Sequence, residues 1–378
     1  MNVIGIVCEY NPLHNGHLRQ ICAVRNHYGE DCVIVCAMSG NYVQRGAPAI
    51  FDKSIRAKAA ILAGCDLVLE LPVTTALSSA EGFARGGVEI LARCCDTISF
   101  GTESMDVHSL FSTAKALLSD EFSAYLRDEL SSGCSFPSAR QAALRKMSLN
   151  VDLSGPNDIL GVEYCKAIME NGLDMQVFPV FRNGSYHSQE LEEAAPSATA
   201  VRREILSGGE WKYAIPENLY PLFEHASVHT LEAGERAILG RLRTMTDEEF
   251  EALPYGSEGL WRKLMKTART CPDLVTIIDS VKSKRYTRTR IDRMILCAFL
   301  GLRNSEMGTK PETCRVLAFN DRGRMILRSH PEFRNVGEEI TETETRFGDL
   351  YGLFSLKGVD APGIESKRRV YYHKESSD

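Results

Sequence analysis

The 378-residue chain has no apolar run approaching the roughly 18–20 residues of a membrane-spanning helix, so a helical membrane anchor is not expected. Its 12 cysteines include no CxxC pair, which removes the usual zinc and thiol-redox motifs, and no metal site is expected. There is no basic excess: 44 Lys and Arg stand against 50 Asp and Glu, a net charge of −6. Bulk charge therefore marks no general nucleic-acid binder and no DNA partner, although a polyanion is steered by the local field and not by the sum. Internal repeats and low-complexity segments are missing too. Met1 leads directly into an apolar run without a cationic, cleavable segment. A cytoplasmic protein with reduced, mostly buried thiols is expected.

What is present is strand–helix alternation. Val3–Cys8, Cys32–Met38, Asp66–Leu71 and Asp96–Phe100 are short, nearly continuous apolar runs, as in a parallel sheet covered on both faces. Helical patterns from His14, over Lys53–Ala63 and over Ser79–Ala92 separate them. The expected fold is α/β, a Rossmann-like doubly wound parallel sheet with its ligand site at the carboxyl ends of the strands. Glu9–Leu13, Ser39–Arg45 and Gly101–Glu103 all fall at those ends. Helices follow over Val107–Met147 and Asp158–Glu170, then a strand over Met175–Phe181 and a helix over Ala198–Leu206 capped by Pro196-Ser197. Three regions are expected: an α/β domain over 1–210 that carries the ligand site, a mainly helical region over 211–305, and a small α+β module over 306–378. In the last, Cys314–Phe319 and Met325–Arg328 read as two strands joined by a turn. The final residues, Glu-Ser-Ser-Asp, read as a frayed end.

Residues 9–17 read Glu-Tyr-Asn-Pro-Leu-His-Asn-Gly-His, between a strand and a helix. His14 and His17, three apart, share one helix face in the first turn, where unpaired N–H groups and the helix dipole favour an anion. Nucleotidyl transfer needs such donors to hold phosphate and meet charge on departing pyrophosphate. Ser197, Thr199 and Arg202 at another helix start form a candidate second phosphate site, or an ordinary capped amphipathic helix. Ser39–Gly46 reads as a pocket-lining or a solvent loop. Gly101, Asn157 and Arg182 (before Asn183-Gly184) stand at a strand end, a helix start and a strand end. The run Lys282–Arg293 carries six positive charges against one negative with Tyr286 interleaved, which suits an RNA backbone. Lys367-Arg368-Arg369 with Tyr371 and Tyr372 extends the same theme.

Together these segments carry a resemblance. The His14-Asn15-Gly16-His17 opening resembles the HxGH nucleotidyltransferase superfamily. With Met38–Gly46, Leu69–Pro72, Phe100–Glu103, Pro156–Gly161, Ser197–Arg202 and Lys284–Arg293, the chain is similar to the bacterial tRNA(Met) cytidine acetate ligase family from residue 2 to about 330. The resemblance implies an ATP-dependent ligase that forms acetyl-adenylate from ATP and acetate, then acetylates N4 of the wobble cytidine of elongator tRNA(Met). It implies ATP contacts from Val7, Cys8, Glu9, Tyr10, Asn11, Pro12, Leu13, His14, Asn15, Gly16, His17, Leu18, Arg19 and Gln20, with Gly101, Asn157 and Arg182. His14 and His17 would be catalytic, Mg²⁺ would accompany ATP, and Lys284, Arg285, Arg288, Arg290 and Arg293 would hold the tRNA. An adenylyltransferase acting on a phosphorylated small molecule, or a non-catalytic RNA-binding protein with a vestigial nucleotide pocket, are the competing readings.

Overall fold

The computed structural model describes residues 1–149, 151–182, 197–312, 314–333 and 338–374, with backbone alone for 338–341. Asn183-Gly184, Pro196 and the last four residues lie outside the described residues. The strands are β1 (Val3–Cys8), β2 (Val33–Ser39), β3 (Tyr42–Val43), β4 (Ala47–Pro48), β5 (Leu67–Leu71), β6 (Thr97–Thr102), β7 (Gln176–Phe181), β8 (Val316–Asn320) and β9 (Tyr371–His373). One sheet runs β7-β6-β1-β2-β5-β8-β9, and β3 and β4 form a separate hairpin. Pairings among β7, β6, β1, β2 and β5 are all parallel.

The first half of the chain supplies helices α1 (Asn15–Tyr28), α2 (Lys53–Leu62), α3 (Val73–Ala76), α4 (Ala80–Leu91), α5 (Val107–Leu117), α6 (Asp120–Ser131), α7 (Phe136–Lys146) and α8 (Pro156–Glu170). The second half adds α9 (Ala198–Ser207), α10 (Tyr220–Glu224), α11 (Glu235–Thr244), α12 (Asp247–Glu251), α13 (Leu260–Thr270), α14 (Leu274–Val281) and α15 (Arg288–Leu300). The last are α16 (Asp321–Ser329), α17 (Glu338–Tyr351) and α18 (Ile364–Lys367). Among the described residues no helix is long and apolar enough to cross a membrane.

The unbroken apolar strands are explained by helices on both faces of the sheet. Alternate residues of β2 point oppositely: Val33, Val35 and Ala37 join one core, while Ile34, Cys36 and Met38 join the other. A third core unites α11 and α13–α15 with Tyr42, Val73 and Leu77. The helical region thus grips the β3–β4 hairpin, which the linear reading of Ser39–Gly46 as a loop did not anticipate.

The C-terminal reading needs two corrections. Met325–Arg328 is not a strand but lies in α16, because Asn320 caps that helix by accepting from the Gly323 N–H at 3.0 Å. Nor do the strands there stand apart: β8 pairs antiparallel to β5 and β9 extends the same sheet. Buried ion pairs tie this region to α2. Lys53 Nζ meets Glu70 at 2.6 Å, Glu365 at 2.9 Å and Glu344 at 3.4 Å. Arg368, read from sequence as part of a basic tail, donates instead to Asp52 Oδ2 at 2.8 Å and Glu365 Oε2 at 3.0 Å.

Candidate active site

A cleft of about 1440 Å³ opens at the carboxyl ends of the parallel strands. His14 and His17 line it, with rings stacked 3.8 Å apart. The two histidines form a reciprocal cap on α1. His14 Nδ1 accepts from the Gly16 N–H at 3.1 Å, and His17 Nδ1 accepts from the His14 N–H at 3.2 Å. A ring nitrogen that accepts is unprotonated, so each neutral imidazole carries its proton on Nε2. The backbone therefore sets both rings as Nε2–H donors. Tyr10 packs edge-on to His17, with ring centroids 5.1 Å apart.

Burial, then the His17, Arg182, Arg202 and Arg19 charges, holds His14 well below the ordinary histidine value. Burial and then Arg182 push His17 down to about 3. Both are neutral donors near pH 7, and the positive charge of the site belongs to the arginines. For His17, the unfolded chain takes up a proton near the ordinary value of 6.5 while the folded one does not, so its contribution to stability is complete above 6.5 and is lost as pH falls toward about 3. Urea midpoints of the wild type are expected to decline from about pH 6.5 to about pH 5.5, and His17→Asn should flatten that decline. Equal slopes in the two proteins would remove the assignment.

Gly16 and Gly101 stand where a side chain would not fit. A Cβ on Gly101 would lie 2.7 Å from Arg182 Cδ, and one on Gly16 would lie 3.4 Å from Arg182 Nη2 and 2.9 Å from His14 Cε1. Arg182 thus passes across both glycines, and its Nη1 reaches Asn157 Oδ1 at 3.4 Å. The Asn157 side chain does not cap its own helix. Its Nδ2 donates to Glu103 Oε1 at 2.6 Å, and Glu103 also accepts from the Asn157 and Asp158 N–H groups at 3.2 and 2.8 Å. A carboxylate from the β6 loop therefore caps α8 and leaves the Asn157 oxygen facing Arg182.

Glu9 Oε1 accepts from the Gln44 N–H at 2.7 Å, joining the first loop to the β3–β4 hairpin, and burial raises its carboxyl pKa. Arg56, wholly buried on α2, donates to the carbonyls of Glu9 at 2.6 Å, Ser39 at 3.1 Å and Phe51 at 2.9 Å, and to that of Gly40. Ser197 caps α9 by accepting from the Ala200 N–H at 3.1 Å, and Arg202 donates to the Asn11 carbonyl at 2.6 Å and Thr199 Oγ1 at 3.2 Å.

Most residues expected at a nucleotide site meet in this cleft: Val7–Asn11, His14, Gly16, His17, Arg19, Gln20, Gly101, Asn157 and Arg182, joined by Ser197, Thr199 and Arg202. Pro12, Leu13, Asn15 and Leu18 do not line it. Leu13 is wholly buried in the core, and Asn15 donates to the Tyr213 carbonyl at 2.9 Å. Asp158 holds the same loop, accepting from the Glu103 N–H at 2.9 Å and from Ser104 Oγ at 2.7 Å; the duties of Glu103, Asp158 and Arg56 rest on contacts across the fold that no local motif signals.

The basic run divides. Lys284, Arg285 and Arg288 are exposed, and Arg290 is half-buried. Arg285 and Arg290 share Glu258 at 3.2 and 3.4 Å, and Arg288 pairs with Asp292 at 2.8 Å. Arg293 turns inward instead: it is buried, lies 5.0 Å over the Tyr255 ring and donates to the Gln44 carbonyl at 3.3 Å. It does not belong to the exposed basic surface expected from sequence. Arg285, Arg290 and Arg293 nevertheless line the same cleft as the histidines, whereas Lys284 and Arg288 do not.

Residues 1–344 match the family model described as HIGH Nucleotidyl Transferase. A tRNA(Met) cytidine acetate ligase of Acetivibrio thermocellus is 34% identical over 353 residues, 86% of this chain and 85% of that one. A protein of the same name from Clostridium novyi is 36% identical over 349 residues, 87% of each chain. The crystal structure of Thermotoga maritima TmcAL in its apo form matches with a TM-score of 0.89 at 30% identity, over 99% of this chain and 100% of that one. The form of TmcAL bound with alpha-thio ATP matches at 0.88, with the same identity and coverage. With an α/β nucleotidyltransferase fold, a histidine pair capping α1 and this likeness along nearly its whole length, the chain belongs to the tRNA(Met) cytidine acetate ligase family of HIGH nucleotidyltransferases.

Proposed function

We propose that this protein is an ATP-dependent ligase that activates acetate as acetyl-adenylate and transfers the acetyl group to N4 of the wobble cytidine of elongator tRNA(Met). The observation that carries this reading is one cleft lined both by the histidine pair and by Arg285 and Arg290. Free acetate is a poor electrophile, and the cytosine amine is a poor nucleophile because its lone pair is delocalised into the ring. A mixed anhydride with AMP supplies the leaving group, and the enzyme then contributes proximity, orientation and exclusion of water.

In this reading the α1 N-terminus and the two Nε2–H groups face the α-phosphate, where charge builds during attack by acetate. Arg182 and Arg202 supply the positive charge that the neutral histidines do not. Among the described residues no group of three or more His, Cys, Asp or Glu side chains is arranged to hold a metal ion. Mg²⁺ fits here as a companion of ATP held through phosphates and water, neutralising their charge. A compact adenylyltransferase for small phosphorylated substrates would leave the arginine-lined part of the cleft without use.

The test is incubation with labelled acetate and ATP, with and without elongator tRNA(Met). Acetyl-adenylate should form, and labelled N4-acetylcytidine should appear only with the tRNA; neither product would sink the ligase reading. Neutralising Arg285, Arg288 and Arg290 together should weaken tRNA binding and reduce the slope of log affinity against log salt by about 2–3, while sparing acetyl-adenylate. An unchanged slope would return that run to a solvated helix face.

A further inference from the structure

The same cleft is also lined by the α6–α7 hairpin, where Phe122, Leu126 and Phe136 present apolar surface and Phe136 is 53% exposed. Two charged side chains are set into this wall, Arg140 on α7 and Glu163 on α8, each only 8% exposed. They are poorly satisfied. Arg140 Nη1 stands 3.9 Å from Glu163 Oε1, and Lys166 Nζ stands 3.7 Å from Glu163 Oε2, both beyond hydrogen-bond reach. Arg140 Nε and Glu163 Oε2 have no hydrogen-bond partner among the described residues. A buried pair elsewhere is closed: Arg25 and Asp66 meet at 2.6 Å, and Asp66 also accepts from the Ile34 N–H and Asn320 Nδ2. Buried charges held apart carry a desolvation cost that a ligand's own donors and acceptors can offset.

A guanidinium offers only donors and a carboxylate only acceptors. The fitting ligand edge places acceptors against Arg140 and a donor against Glu163, between apolar walls. Cytosine has this edge, with O2 and N3 beside the N4 amine. Uracil presents N3–H to the guanidinium and an oxygen to the carboxylate, and is opposed at both points.

We propose that Arg140 and Glu163 form the pocket for the wobble cytosine, reading its Watson–Crick edge while Phe136 offers a stacking surface to the base. Bases of an anticodon loop are single-stranded and can be splayed onto aromatic side chains in this way. The pair positions the nucleobase and takes no part in adenylation. The assignment rests on the ligase reading, and it gives that reading a basis for choosing cytidine.

The experiment uses the full chain and tRNA(Met) transcripts carrying C or U at the wobble position. Arg140→Met should raise the KM for tRNA in acetyl transfer by about ten-fold or more, the worth of one bidentate base contact. In acetate-dependent ATP–pyrophosphate exchange without tRNA, its kcat and ATP KM should stay unchanged. Glu163→Gln presents an amide that can donate to uracil O4, so the binding preference for C over U should shrink by about ten-fold. An adenine edge also pairs an acceptor with an amine, so a raised ATP KM in the exchange reaction would assign the pair to the nucleotide and overturn the proposal. A C-over-U preference unchanged in both variants would overturn it as well. If the wild type shows no exchange, the ligase reading fails instead, and the pocket is then decided by the binding preference alone.

Discussion

The His14→Asn chain is expected to fold, and to form acetyl-adenylate at least ~10²-fold more slowly than the wild type, the scale of losing one transition-state donor. Asparagine is a strong N-cap, and its oxygen can take the place of His14 Nδ1 opposite the Gly16 N–H. Stability should therefore remain within about 2 kcal/mol, the difference coming from lost packing on His17. What asparagine cannot supply is a donor at the position of Nε2. The substitution thus separates two duties of one ring, whereas His14→Ala removes both together. Single-turnover formation of labelled acetyl-adenylate, with a urea midpoint as control, makes the measurement. Normal adenylation by a folded His14→Asn protein would show that this ring is only a cap.

Arg56→Met should cost roughly 4 kcal/mol or more, because four carbonyls lose a buried donor at about 1–3 kcal/mol each. The guanidinium joins segments distant in sequence through the carbonyls of Glu9, Ser39, Gly40 and Phe51. Glu9 lines the nucleotide cleft and Gly40 leads into the segment that brings Gln44 and Arg45 to it, so the protein that still folds should also bind ATP more weakly. Arg56→Lys should rescue little, since a single ammonium cannot span acceptors that a planar fork reaches together. Denaturant midpoints and the KM for ATP decide it. Wild-type values for Arg56→Lys in both would mean that charge alone suffices there.

The strands over 3–8 and 67–71 and the helices from residue 15 and from residue 53 were legible because burial on two faces leaves an apolar run, and caps leave Asp or His at the helix start. The site was legible where it is local, at His14-Asn15-Gly16-His17. It was illegible where it depends on meetings across the fold. Glu103 capping α8 spans 54 positions to Asn157, and no property of the Gly101-Thr102-Glu103 stretch announces that partner. Arg293 stands among exposed arginines in sequence, yet the turn of α15 sends it inward toward Tyr255, and charge density alone cannot distinguish those directions. Met325–Arg328 misled for a different reason. A short apolar run suits strand or helix equally, and the deciding signal was the Asn320-Asp321 cap before it.

The antiparallel joint between β5 and β8 has a consequence for how the molecule is made. Leu67 pairs with Phe319, so one margin of the central sheet stays uncovered on the ribosome until about 250 further residues have been translated. During that interval an apolar strand, Leu67–Leu71, presents open backbone groups to whatever it meets. Nascent chains that stall before residue 316 would expose this margin, so premature termination should yield material prone to clumping rather than a smaller working enzyme. The residues farthest from the nucleotide motif in sequence are the ones that close the sheet on which the motif is built.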